Sequence, residues 1–303
     1  MTGMGNRGPV GRDWFGLAAF DPGPWFHRDG GRLYLLKEVG STNDFLLGRG
    51  DPARGRVCDW DGWGWRAGAQ TDLEPLTGPD AGTVVVARRQ TAGRGRQGRP
   101  WVDCGGLHMS VVVPPHRASF DRGFSVWLGL LVVLSLRDDF NMDVRLKWPN
   151  DLMAGNRKLG GILLESTGAA ERTIIVAGLG LNIGTRSGDF PPQLQGVATS
   201  ILRETGREVR PAEVAAKVLS RVESELQRFD AEGWPAYRSA LACLDCLLGR
   251  DICVQQGGGI YRGRAVGIDD SGGLILQNAD GDTVTFSGGQ VHILEHGLAP
   301  AGE

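Results

Sequence analysis

The apolar residues of this chain are gathered into short runs closed by glycine, proline or aspartate, and that spacing limits the fold more than any other feature. Leu33 to Val39, Thr83 to Ala87, Leu107 to Val113, Val144 to Lys147, Lys158 to Glu165 and Thr173 to Ala177 each read as a strand. Two stretches have the length of long helices. Ser125 to Leu136 is apolar on nearly every side, which predicts a buried central helix. Pro211 to Phe229 places Val214, Val218, Val222, Leu226 and Phe229 at steps of four, four, four and three, one face of an amphipathic helix opened by proline. From Asp251 the texture changes to short strands broken by Asp269-Asp270-Ser271-Gly272-Gly273, Ala279-Asp280-Gly281-Asp282 and Ser287-Gly288-Gly289, the turn spacing of a small antiparallel barrel. The expected class is α+β: a mixed-sheet domain followed by a small all-β domain.

Composition narrows the options. Forty-eight glycines and 15 prolines in 303 residues fall short of a low-complexity chain. The longest apolar run, Val126 to Leu136, is too short to span a bilayer, and the first 30 residues lack a signal-peptide pattern, so an intracellular, cytoplasmic location is expected. A formal charge of −2 gives nonspecific nucleic-acid binding no global support. Five cysteines, an odd and sparse set, point to reduced thiols, and Cys243-Leu244-Asp245-Cys246 lacks the second pair that a structural zinc site needs. Residues 1–32 read as an arm, 33–250 as the main domain with a loop-like, tryptophan-bearing insertion at 48–79 (Trp60, Trp63, Trp65), 251–296 as the small domain and 297–303 as a tail.

The chemistry concentrates in a few segments. Ser41-Thr42-Asn43-Asp44 supplies the acceptors that cap a helix start. Gln90 to Trp101 contains Gly93, Arg94, Gly95, Arg96, Gly98 and Arg99, and five arginines with no acidic residue lie between Val86 and Trp101. Glycines here expose backbone amides to an anion, and arginines add planar charge-assisted donors. The segment matches G-x-G-x-x-G, yet Arg99-Pro100-Trp101 opens no helix, so a dinucleotide fold is not expected. Lys147-Trp148-Pro149-Asn150-Asp151 closes a strand with a cation, an amide and a carboxylate, and Lys158 opens the next. The chain has 33 basic residues but only four lysines, and Lys147 and Lys158 are two of them, as if a compact point charge were wanted there. Asp151 is a candidate Mg²⁺ ligand between phosphates. Gly178 to Gly184 adds small residues and Asn182 beside a flat ligand.

Taken together and in this order, these segments resemble the biotin protein ligase family, whose catalytic domain would cover about 33–250 and whose small SH3-like C-terminal domain would cover 251–296. The resemblance implies that biotin is activated with ATP and Mg²⁺ to biotinyl-5′-AMP, then passed to one lysine of a biotin carboxyl carrier domain of a carboxylase such as acetyl-CoA carboxylase. It assigns Ser41, Thr42, Asn43, Gln90, Gly93, Arg94, Trp101, Lys158, Gly161 and Gly178 to biotin. To the nucleotide it assigns Arg94, Gly95, Arg96, Arg99, Trp101, Lys147, Asn150 and Asn182. Arg96, Lys158 and Asp151 would be catalytic, Asp151 also holding the metal. With about 32 residues before the first strand, no DNA-reading domain, nucleic-acid partner or membrane partner is expected, and the chain would act as a monomer or homodimer. A lipoate or octanoyl ligase of the same fold, and a non-catalytic biotinyl-AMP sensor, are the alternatives.

Overall fold

The computed structural model describes residues 13–24, 26, 31–62, 64–113, 122–168 and 173–294. Ten strands form the main sheet: β1 (Leu33–Leu36), β2 (Ala53–Trp60), β3 (Trp65–Ala67), β4 (Thr71–Leu73), β5 (Val84–Ala87), β6 (Gly106–Val113), β7 (Val144–Lys147), β8 (Asp151–Ala154), β9 (Arg157–Thr167) and β10 (Ile174–Asn182). Their order is β3-β2-β1-β5-β6-β10-β9-β8-β7, with β4 also paired to β2. The β1–β5 pair is parallel and its neighbours are antiparallel, so the mixed sheet expected from the sequence is present. Segment 48–79 is not loop-like: it supplies β2, β3 and β4, which extend the sheet at one edge. Trp65 is buried and meets Trp60 at 5.8 Å between ring centres, while Trp63 lies outside the described residues.

The helices follow from patterning. After a short α1 (Thr42–Leu46) comes α2 (Arg122–Phe140), apolar around its circumference because it is enclosed by the sheet and by α4. The turn α3 (Ile201–Thr205) leads to α4 (Pro211–Glu232), which buries Val214, Val218, Val222, Leu226 and Phe229, the face read from the spacing. Trp127 and Phe229 join the two long helices at 4.4 Å between ring centres. Phe15, Phe20 and Phe26 are buried in the same core, so the part of the arm that is described packs onto the body. On the opposite face a smaller cluster around Tyr34, Leu36, Phe45, Val85 and Val176 holds α1 against the sheet.

After α5 (Arg238–Ala242), five strands, β11 (Asp251–Gln256), β12 (Gly259–Ile268), β13 (Leu274–Gln277), β14 (Thr283–Phe286) and β15 (Gln290–Ile293), form an antiparallel sheet in the order β14-β13-β12-β11-β15. This small domain is bolted to the main one by indole donors: Trp148 Nε1 gives a hydrogen bond to Gly272 O and Trp234 Nε1 one to Asp269 O, both at 2.9 Å. All five cysteines are free thiols, and Cys243 caps α5. No helix among the described residues is long and apolar enough to cross a membrane.

At the end of the main domain, Leu146 and Asp245 form a bridge, and burial raises the Asp245 carboxyl to about 6 although it accepts the Leu247 amide at 2.8 Å. Because the folded state holds this proton more tightly than the unfolded chain, its contribution to stability is full below about pH 4 and is lost as pH rises through about 6. A rise from 3.8 to about 6 corresponds to about 3 kcal/mol. Asp245→Asn, which keeps the acceptor oxygen, is expected to stabilise the protein more at pH 7 than at pH 4.5; urea midpoints for parent and variant at the two pH values check this.

Candidate active site

The parallel β1–β5 pair explains why distant motifs meet. Both strands point the same way, so the segments that leave their ends emerge side by side, and Val39 bridges Gln90 just beyond them. The first segment turns at Ser41, whose Oγ caps α1 by accepting the Asp44 amide. The second carries Gln90, whose side-chain oxygen accepts both Thr42 N at 2.8 Å and Thr42 Oγ1 at 3.1 Å. On the far side, β10 lies between β6 and β9, with Gly178 opposite Leu163 and Ser110, and Gly180 opposite Gly161 and His108.

These elements enclose a cleft. Ser41, Thr42 and Asn43 line one wall, Gln90, Arg94, Gly95 and Trp101 the second, Asn150, Lys158 and Gly161 the third, and Gly178 and Gly180 the floor. Two of these glycines are demanded by close approach. A Cβ on Gly178 would stand 2.4 Å from Asn43 Oδ1, and one on Gly180 2.9 Å from the Trp101 indole. Trp101 thus packs directly against Gly180, its own amide bonded to Gly93 O at 2.8 Å. Asn150 is fixed by a hydrogen bond to Ile162 O at 2.7 Å.

Several partners were not legible in the motifs. Arg94 forks onto Asp44, with Nη2 2.8 Å from Oδ1, and reaches Glu165 at 3.1 Å; bonding to Asp44 first, and to Glu165 less strongly, raises its pKa. Asn43 donates to Glu165 at 2.8 Å and accepts from Ser110 Oγ at 2.6 Å. Asp103 accepts the Gln90 amide at 3.0 Å and lies 3.0 Å from the buried His108 Nε2, pinning the end of the glycine loop to β6. Burial opposes ionisation of this carboxyl, and the adjoining His108 with the amides of Gly105 and Gln90 outweighs it, leaving a lowered pKa. Met109, Ile162 and Leu179 supply an apolar side.

At the rim, Lys158 Nζ is 2.5 Å from Asp151 Oδ1 and 5.8 Å from the Trp101 ring centre. Lys147 and Arg96 lie within electrostatic reach of the same carboxylate, and burial pushes the pKa of both below the ordinary range despite it. Three cations therefore share one anion, leaving a local surplus of positive charge. Arg96 and Arg99 reach past the cleft to the small domain: Arg96 approaches Gly288, and Arg99 Nη2 meets Gln290 Oε1 at 2.5 Å. Asn182 does not line the cleft. Its buried amide donates to Thr199 O at 2.9 Å, because the returning chain covers the end of β10.

The Biotin/lipoate A/B protein ligase family profile matches residues 67–182, and the Biotin protein ligase C terminal domain profile matches 247–293. The biotin--[acetyl-CoA-carboxylase] ligase of Paracoccus denitrificans is 34% identical over 227 residues, 70% of this chain and 91% of that protein. The chain belongs to the biotin protein ligase family. A biotin protein ligase from Aquifex aeolicus, solved in complex with biotin and ATP, superimposes with a TM-score of 0.68 at 26% identity, over 86% of this chain and 98% of that one. The bifunctional ligase/repressor BirA of Bacillus spizizenii is 29% identical over 210 residues, and the match covers 68% of this chain but 65% of that longer protein. In biotin protein ligase terms, the resemblance seen in the motifs extends to both domains.

Proposed function

We propose that this chain activates biotin with ATP to biotinyl-5′-AMP and then transfers biotin to a lysine of a biotin carboxyl carrier domain. The observation that carries the reading is the cleft, where a polar, glycine-floored pocket adjoins a rim on which Arg96, Lys147 and Lys158 share the carboxylate of Asp151. A carboxylate and a triphosphate repel, and a surplus of fixed positive charge is what brings them together. The name of the Paracoccus relative and the bound biotin and ATP of the Aquifex structure support the same substrates.

In the first step a biotin carboxylate oxygen attacks the α-phosphorus, a new P–O bond forms and the bond to pyrophosphate breaks. Lys158 stabilises the charge that gathers on the α-phosphoryl oxygens, and Arg96 and Lys147 hold the polyphosphate. Thr42, Asn43 and Gln90 face the polar head of biotin, and Met109, Ile162 and Leu179 its apolar part. Trp101 covers the adenylate and keeps water from hydrolysing the anhydride. In the second step the neutral amine of the acceptor lysine attacks the acyl carbon, the C–O bond to phosphate breaks and AMP leaves.

Magnesium fits as an ion brought in on ATP. Asp151 offers one carboxylate, which suits an ion otherwise held by phosphate oxygens and water, and no cluster of three or more His, Cys, Asp or Glu that could hold a metal occurs among the described residues. When bound, the ion neutralises phosphate charge. Asp151, released from Lys158, would hold it. The reading is tested by transfer of labelled biotin to a purified carrier domain. ATP-dependent labelling is expected; labelling by lipoate in place of biotin, or none at all, would displace it.

A further inference from the structure

A second cavity opens on the sheet away from the cleft, about 1260 Å³ and open to solvent. Leu35, Lys37, Arg56 and Arg88 line it on the sheet side, and Trp14 and Phe15 of the arm line it on the other. Leu35 and Arg56 are registered partners on β1 and β2, while Lys37 and Arg88 directly follow the registered pair Leu36 and Ala87 of β1 and β5. Three cations therefore stand on or just beyond three adjoining strands, Lys37 beside Arg88 and Arg56 on the diagonal from Lys37.

None of the three takes part in an ion pair among the described residues, although their neighbours do: Arg54 pairs with Asp72 and Arg89 with Glu38. The carboxylate on the cavity wall, Asp13, is turned to the amides of Gly16 and Leu17 at 2.8 and 3.0 Å. Three cations lining one cavity, without an ion-pair partner among the described residues, repel one another, and a multiply charged anion that reaches all three relieves that repulsion.

We propose that this cavity is a second ligand site that takes a small polyanion bearing a planar group, of the nucleoside diphosphate class, with its phosphates on Lys37, Arg56 and Arg88 and its ring against Trp14. The indole is half-exposed beside the cations, the arrangement in which an aromatic ring stacks a flat ligand. The site is separate from the cleft and makes no use of the residues assigned to catalysis.

The test fills the cleft first. The full chain is saturated with a non-hydrolysable sulfamoyl analogue of biotinyl-AMP and titrated with ADP by calorimetry at low salt. One further ADP per chain is expected, weakened about tenfold or more by Arg56→Glu and by Lys37→Glu and abolished by raising the salt. Trp14→Ala is expected to weaken ADP while leaving inorganic pyrophosphate unchanged. No ADP uptake with the cleft filled, or uptake indifferent to both charge reversals, overturns the site; equal loss of ADP and pyrophosphate with Trp14→Ala overturns the stacking role. If the analogue itself fails to bind, the proposed function falls, and the charge-reversal comparison with ADP still decides the second site.

Discussion

Lys158→Ala is expected to lower biotin-dependent ATP–pyrophosphate exchange by about 10²–10³-fold, the loss typical when one preorganised stabiliser of developing charge is removed. The side chain is 39% exposed and its ammonium contacts Asp151 at 2.5 Å without supporting the core, so melting temperature and circular dichroism should change little. Lys158→Arg should recover only part of the activity, because a planar fork on a longer stem cannot occupy the place of a compact ammonium between Asp151 and the Trp101 ring. Full exchange in the alanine variant would remove Lys158 from the chemistry and with it the strongest link between the rim and the reaction.

The second large effect concerns the joint between domains. Trp148 is 3% exposed, belongs to the main core and donates to Gly272 O of the small domain. Trp148→Ala is expected to cost about 3–5 kcal/mol, as buried aromatic truncations do, and to lower the melting temperature by about 10 °C. Trp148→Phe keeps most of the ring and loses one hydrogen bond, which should cost about 1 kcal/mol from the bond itself. Because the same turn presents Asn150 and Asp151, the alanine variant should also lose nucleotide affinity below its melting point, whereas the phenylalanine variant should retain most of it. Paired melting curves and ATP titrations separate the two; an alanine variant with parental stability would show that the joint holds nothing.

How far the sequence reached depends on the range of the interactions. Helix α4 was legible because its apolar face recurs within a single element, and the cleft motifs were legible because each is contiguous. Strands β2, β3 and β4 were missed because they sit at a sheet edge, where Arg54, Arg56 and Asp59 alternate with small or half-buried residues and no apolar run forms. The network of Asp44, Ser110 and Glu165 around Arg94 and Asn43 was invisible for another reason: it exists only through the register of β6, β10 and β9, which no local pattern encodes. Asn182, which the resemblance assigns to the nucleotide, is not among the residues lining the cleft, and its hydrogen bond to Thr199 O depends on a return of the chain that no local pattern encodes.

The parallel pairing of β1 with β5 has a kinetic consequence. Leu33 pairs with Val84, so one wall of the cleft forms only after a segment of about 50 residues has closed, and β10 must still slot between strands distant in sequence. Contacts of that separation slow folding and come late. The ligands thus gather where strands of large sequence separation meet, and any ligand held there adds stability as RT ln(1 + [L]/Kd) to parts of the molecule that assemble late.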